Sequence, residues 1–259
     1  MVLRYENYDD LEIDKEMEKM DYADLVEINL YPSDKRCLFF LGMLFAKGKK
    51  IKLLNEKEFD FHSIDDENTK SYPLMAYVWS KFSDDSFPKK DYSDVVTKMD
   101  NLVENIKRLG YKVSPIVDNP DPNQIFLICP VRNASANQKD WIVNYVYSKT
   151  REGYKIHAPH LDTRQVDMFK GYAICRQNAE AVAKSSEVAI YYDKSSTGSV
   201  FDLGVSYVLG KEITLLNADE ILLNENDFAD NLIKNWPYNE TEKSLTREPD
   251  IYTKYTKRF

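Results

Sequence analysis

Residues 184–217 read KSSEVAIYYDKSSTGSVFDLGVSYVLGKEITLLN, and this stretch decides the fold because residues 22–55 repeat it. The earlier stretch, YADLVEINLYPSDKRCLFFLGMLFAKGKKIKLLN, aligns on it without gaps at a constant offset of 162, with 12 of 34 positions identical. Apolar alternation alone produces some matches between unrelated β-α-β units. The ungapped run that ends in Leu-Leu-Asn in both copies favours a duplication.

Each copy predicts a helix, a strand, a loop, a helix and a strand. In the second copy, VAIYY at 188–192 is short, apolar and rich in β-forming residues, as a buried parallel strand should be. The Ser- and Gly-containing loop 193–199 precedes a helix that should end near Gly210, and EITLLN at 212–217 forms the closing strand.

The segment upstream of the second copy adds further strands and a helix. QIFLICPV at 124–131 and YKIHAP at 154–159 predict strands, and a helix should run between them from about Gln138 to Arg151. Strands that alternate with helices predict right-handed crossovers, and hence an α/β fold with a doubly wound parallel sheet and helices on both faces.

The first copy lacks a predicted leading strand-helix-strand, so we interpret the N-terminal part as a degenerate half-copy of the same unit. A helix with apolar residues at helical spacing follows a linker at about 84–90 and ends at Gly110. The expected boundaries are 1–90 for the half-repeat, 91–123 for the connecting helix and linker, 124–245 for the main domain and 246–259 for a C-terminal tail.

Composition excludes several classes of protein. The chain of 259 residues is 43% hydrophobic and 30% charged, which is typical of a globular protein. Its 35 basic and 43 acidic residues give a net charge of −8, the wrong sign for binding duplex nucleic acid. The three cysteines are scattered without a Cys-x-x-Cys pair, and no apolar run of 18 residues occurs. We therefore expect a cytoplasmic protein that neither enters a membrane nor is exported, and that has no metal site.

Candidate site residues follow the predicted strands, because open parallel sheets bind ligands beyond the carboxyl ends of their strands. Three polar stretches, 130–133, 157–164 and 195–202, should converge on one cleft. Asp202 lies about one turn inside a helix, where the helix dipole favours its ionised form; an ordinary acid that only stabilises its helix is the alternative. Arg132 could bind a phosphate or carboxylate, or form a surface salt bridge. His157 and His160 lack a third metal ligand at a recognisable spacing.

Four segments together resemble the nucleoside 2-deoxyribosyltransferase-like superfamily: IFLICPVRN, HAPHLDT, ICRQN and SSTGSVFDLGVSYVLGK. The similarity covers roughly residues 124–217, with 22–55 as a partial echo. In that family the first strand ends in a small-Pro motif, and an acid-Leu-Gly signature carries a Glu nucleophile. Asp202 in Phe-Asp-Leu-Gly matches this acid by position, although its side chain is one methylene shorter.

The resemblance implies cleavage or transfer of the N-glycosidic bond of a nucleoside or nucleotide. A carboxylate near the anomeric carbon can stabilise the oxocarbenium-like transition state or trap it covalently, and no cofactor is needed. Asp202 would be the catalytic residue. The implied substrate-binding residues are Arg132, Asn133, His157, Asp162, Asn178 and Ser199.

Two questions stay open at the level of sequence. The first copy has Phe40 in place of Asp202 and Cys37 in place of Ser199, so it cannot use the same nucleophile. Because the superfamily commonly pairs subunits, the chain could form a homo-oligomer or use the half-copy as an internal pseudo-partner; the alternative is that the half-copy only covers an exposed face of the main domain.

A non-catalytic nucleotide-binding or sensing module is the competing function, because Asp for Glu at 202 and Ala179 in place of a second acid are also what loss of activity would leave.

Overall fold

The computed structural model describes residues 1–58, 72–83, 104, 107–110, 112–131, 134–163 and 171–239, in which two parallel sheets are found. The first has the order β1-β2-β3 and the second the order β5-β4-β6-β7. The strands are β1 (Val2–Tyr5), β2 (Leu25–Ile28), β3 (Lys50–Leu53), β4 (Asp121–Ile128), β5 (Lys155–His157), β6 (Ser185–Ile190) and β7 (Ile213–Leu215). All pairings are parallel, so the predicted α/β class is confirmed.

Helices connect these strands, and polar side chains cap several of them. The helices are α1 (Ile13–Asp21), α2 (Lys35–Ala46), α3 (Tyr72–Ser83), α4 (Ala136–Arg151), α5 (Pro159–Asp162), α6 (Tyr172–Lys184), α7 (Thr197–Val208) and α8 (Phe228–Lys234), with a 3-10 turn at Glu56–Glu58. Asp34, Ser135 and Ser196 accept hydrogen bonds from the first free N–H groups of α2, α4 and α7. Each cap therefore defines where its helix begins.

The predicted strands are present, but their bounds differ. β4 begins three residues earlier than predicted, at Asp121, and ends at Ile128 before Pro130. β5 ends at His157 because Pro159 starts the short helix α5, for which its fixed φ is suitable. The expectation that the first copy lacks a leading strand-helix-strand is corrected in part: the strand β1 precedes the expected helix α1 and pairs with β2. The run VLRY is too short to be distinguished as a strand without its partner.

The offset of 162 persists in the structure. α2 at 35–46 and α7 at 197–208 have bounds that differ by this offset. Asn55 accepts a hydrogen bond from the Leu30 N–H (2.9 Å) and donates to the Leu30 carbonyl (3.1 Å). Asn217 makes the same two bonds with Tyr192, both at 2.9 Å. Each asparagine thus joins the end of one strand to the chain that follows the neighbouring strand.

Helices α2 and α7 pack directly against each other through small residues. A Cβ on Gly42 would lie 2.1 Å from the Phe201 carbonyl oxygen, and a Cβ on Gly204 would lie 2.1 Å from that of Phe39. Only glycine permits this backbone approach. The two contacts are related by the offset, and they bring the two sheets onto one shared core.

Both faces of the four-stranded sheet are covered, as the alternation of side chains along β4 shows. Phe126 and Ile128 join the core that continues through α6, α7 and the first sheet. Ile125 and Leu127 point to the opposite face and pack with Ile142 of α4. This arrangement leaves the carboxyl ends of β4 and β6 facing the same region.

Several sequence predictions fall on other parts of the chain. The linker at 84–90, most of the connecting helix, and the tail at 246–259 lie outside the described residues. Within the described residues, no helix combines the length and the apolar character needed to cross a membrane.

Candidate functional site

A cavity of about 240 Å³ lies beyond the carboxyl ends of β4 and β6, where parallel sheets bind ligands. The chain after β4, the loop after β6 and the first turns of α7 form most of its wall. Its lining residues are Tyr72, Cys129, Pro130, Val131, Pro159, Ile174, Asn178, Ser195, Ser196, Thr197, Gly198, Ser199 and Asp202.

The loop after β6 is held in place by its own polar side chains. Asp193 accepts hydrogen bonds from the backbone N–H (2.8 Å) and hydroxyl (2.6 Å) of Ser195. Burial alone would raise the pKa of Asp193, but the hydrogen bonds from Ser195 and Gln138 outweigh it and hold this pKa below its usual value. Ser199 donates its hydroxyl proton to Ser196, the N-cap of α7, at 2.9 Å. These hydrogen bonds fix the position of Ser199 in the cavity wall.

Asp202 is the acidic residue of the cavity wall. It is the sixth residue of α7 and only 6% exposed. Its neighbours in sequence, Phe201 and Leu203, belong to the shared core. Asp202 thus lies in the first half of α7, at a nearly buried position that lines the cavity.

Cys129 lies near Asp202 and is a second group with nucleophilic chemistry. Its Sγ is 3.7 Å from Nδ1 of His160. Burial, and then the negative charge of Asp202, raise the pKa of Cys129 to about 12. Because the thiolate is the nucleophilic form, Cys129 stays an unreactive thiol at neutral pH. This leaves Asp202 as the better candidate for a nucleophile.

Asn178 of α6 is 2% exposed and lines the cavity. Its Oδ1 accepts a hydrogen bond from the hydroxyl of Thr163 at 2.9 Å, and Nε2 of His157 lies 3.0 Å from the same hydroxyl oxygen. The His157 ring is stacked on Phe126, with centroids 5.5 Å apart and planes 11° apart. His157 therefore supports the cavity wall through Thr163 and is not among the lining residues.

The other predicted site residues lie in different places. Asp162 is exposed and accepts a hydrogen bond from the Ala158 N–H at 2.7 Å, so it closes the first turn of α5 and does not line the cavity. Arg132 and Asn133 lie outside the described residues, although Val131 before them lines the cavity. Of the predicted set, the structure brings Asn178, Ser199 and Asp202 together at one wall.

Tyr72 of α3 lines the cavity and was missed by sequence reasoning. Its hydroxyl would lie 3.7 Å from a Cβ on Gly198, and its ring packs on Phe201 with centroids 5.3 Å apart. Tyr72 is 130 positions before Asp202, and no local pattern in the sequence indicates this proximity. The N-terminal half of the chain thus contributes a residue to the cavity.

The equivalent position in the first copy has no comparable polar group. Phe40 replaces Asp202, is 1% exposed, and packs against Tyr5 and Tyr8 with centroids 6.0 and 5.8 Å apart. Cys37, in place of Ser199, is fully buried. Aromatic packing therefore fills the region that is a cavity in the second copy.

Within the described residues, no group of three His, Cys, Asp or Glu side chains is arranged to hold a metal ion. No protein-family model matches the chain, and neither a curated protein nor a solved structure shows significant similarity to it.

Proposed function

We propose that the protein cleaves or transfers the N-glycosidic bond of a nucleoside or nucleotide, with Asp202 as the nucleophile or as the carboxylate that stabilises the oxocarbenium ion. The observation that carries the proposal is the position of Asp202: a nearly buried acid in the first half of α7 that lines a cavity together with Asn178 and Ser199.

The size of the cavity supports a small ligand. Its volume of about 240 Å³ is near the lower limit of roughly 300 Å³ for small-molecule pockets, which suits a nucleoside better than a polymer. The ligand would present its anomeric carbon to Asp202 and its polar groups to Asn178 and Ser199. Arg132 and Asn133 keep their predicted part in substrate binding as a proposal from the sequence.

Hydrolysis needs only the substrate, the chain and water, and transfer needs a second base in place of water. A carboxylate oxygen of Asp202 forms a bond to the anomeric carbon as the carbon–nitrogen bond breaks. The electron pair of the broken carbon–nitrogen bond leaves with the base, which takes a proton from solvent. In hydrolysis, water then displaces Asp202 and releases one proton to solvent; in transfer, a second base displaces Asp202 and releases the proton of its attacking nitrogen to solvent. Either acceptor returns the carboxylate to its starting form.

We further propose that the chain is a duplicated, doubly wound α/β unit whose first copy acts as an internal pseudo-partner. The common bounds of α2 and α7, the reciprocal contacts at Gly42 and Gly204, and the contribution of Tyr72 to the cavity support this. In this proposal the first copy has lost its own site and completes the site of the second.

The test is incubation with deoxynucleosides, deoxynucleoside monophosphates, ribonucleotides and NAD, with released base measured by chromatography. Asp202→Asn is nearly isosteric and removes the charge, so we expect base release to fall by about a thousandfold or more while the fold is kept. Asp140→Asn makes the same chemical change on an exposed residue of α4 and should leave the rate unchanged.

Undiminished release by Asp202→Asn would place the chemistry elsewhere in the chain. Tight binding of a compound from the panel without release would instead support a nucleotide-binding or sensing module. Asp202→Glu adds a second comparison, because a site shaped for the shorter acid should lose activity with Glu, whereas a decayed member of a Glu-using family should gain it.

A further inference from the structure

The hydrogen bonds around Asn178 determine which of its polar atoms faces the ligand. An asparagine side chain normally offers both an acceptor oxygen and two N–H donors. Here Oδ1 is already bonded to the Thr163 hydroxyl, and no residue that the structure describes accepts a hydrogen bond from Nδ2. The part of Asn178 left for the cavity is therefore its NH₂ group.

The direction of the hydrogen bond between Thr163 and His157 follows from the single proton of the Thr163 hydroxyl. The Thr163 hydroxyl has a single proton, which it donates to Asn178. Nε2 of His157, 3.0 Å from the hydroxyl oxygen, must then be the donor of that bond and carry a hydrogen. Thr163 is 3% exposed, so water has little access to replace either bond.

The opposite direction of these two hydrogen bonds is also chemically possible, and it would place a different atom of Asn178 toward the ligand. If the Asn178 amide were turned by 180°, Nδ2 would donate to Thr163, the Thr163 proton would go to Nε2 of His157, and the imidazole hydrogen would be on Nδ1. The cavity would then face an amide oxygen. The tautomer of His157 therefore reports which atom of Asn178 faces the cavity.

We propose that His157 and Thr163 are positioning residues that hold the amide of Asn178 with its N–H groups toward the ligand, so that this wall selects a hydrogen-bond acceptor. The matching group on a nucleoside is a carbonyl or hydroxyl oxygen. Asp202 supplies the opposite character, an acceptor, so the cavity orients a ligand by polarity. The identity of the ligand rests on the proposed function, whereas the direction of the hydrogen bonds does not.

The direction is tested by ¹⁵N NMR of the histidine rings in the full chain at pH 8, with His157→Gln used to assign the signals. We expect His157 to carry its hydrogen on Nε2 in the wild type and in Thr163→Ser, which keeps the hydroxyl. Thr163→Val removes the hydroxyl at similar volume and should leave His157 as a mixture of tautomers. A hydrogen on Nδ1 and a bare Nε2 in the wild type would overturn the proposal.

The effect on ligand selection is tested with Asn178→Asp, which keeps an oxygen for Thr163 but replaces the N–H donors with a second oxygen. For the panel compound with the fastest base release, or the tightest binding if none is cleaved, we expect KM or Kd to rise about tenfold or more. Thr163→Val should raise KM by about threefold to tenfold with kcat nearly unchanged, and Thr163→Ser should restore it.

Unchanged affinity in Asn178→Asp would overturn the role of the N–H donors. If no compound in the panel is bound or cleaved, the proposed function fails, and the NMR result still decides the direction of the bonds. The two failures are therefore distinguishable.

Discussion

At the scale of single residues, the aspartates of this protein have different roles because their surroundings differ. Asp193 and Asp162 accept hydrogen bonds from neighbouring backbone N–H groups and shape turns, whereas Asp202 lines the cavity. Cys129 lines the same cavity, but its raised pKa keeps it protonated. We therefore expect the chemistry to depend on Asp202 and not on the thiol.

His157 should make stability depend on pH. Burial lowers its pKa below the usual 6.5; Lys184 adds to this effect and Asp162 opposes it. The unfolded chain therefore binds a proton at a higher pH than the native protein does, so the contribution of His157 to the free energy of unfolding is complete above pH 6.5 and falls as the pH is lowered from there.

Urea unfolding at several pH values between 8 and 5 checks this expectation. Because His157→Gln removes the titrating group, the decline in the free energy of unfolding below pH 6.5 should be shallower in this variant than in the wild type. His160, whose pKa burial also lowers, accounts for part of the remaining decline. Equal slopes for wild type and His157→Gln would contradict the assignment.

Between elements, the packing of α2 on α7 should be intolerant of even one methyl group. Gly42→Ala and Gly204→Ala each place a Cβ 2.1 Å from a backbone carbonyl oxygen, so the helices must move apart. We expect each variant to lose about 1–3 kcal/mol of unfolding free energy, measured by denaturant titration.

Gly198→Ala is the matched control, because its Cβ would meet nothing closer than the Tyr72 hydroxyl at 3.7 Å. The double variant Gly42→Ala, Gly204→Ala should cost less than the sum of the two, since helices separated by one methyl group already accommodate the other. If Gly42→Ala were as stable as Gly198→Ala, the close approach would be refuted.

In the whole molecule, the two sheets share one hydrophobic core, so they should unfold together. The core runs from Val26 and Phe39 in the first half to Phe201 and Val188 in the second. Neither half can expose this surface without losing the burial that stabilises it. We expect a single calorimetric transition whose calorimetric and van't Hoff enthalpies agree. Two resolved transitions would show that the halves are independent.

The sequence alone determined the class of the fold and the register of its repeat. Three local signals can be recognised without the tertiary structure: the strand and helix periodicities, the glycines Gly48 and Gly210 after the helices, and the matching Leu-Leu-Asn ends. For the same reason, Asp202 could be placed beyond a strand end in the first half of a helix. The bounds of α2 and α7, which differ by the offset of the repeat, follow from this pattern.

Only the tertiary structure decided which of these side chains meet. Tyr72 reaches the cavity because α3 packs against the shared core, and the short strand β1 exists because β2 offers it a hydrogen-bonding partner. The His157 ring is hydrogen-bonded to the Thr163 hydroxyl, and the Asp162 carboxylate accepts a hydrogen bond from the Ala158 N–H at the start of α5, so neither side chain lines the cavity. Contacts between distant segments depend on how whole elements pack, and residue spacing along the chain carries no record of that packing.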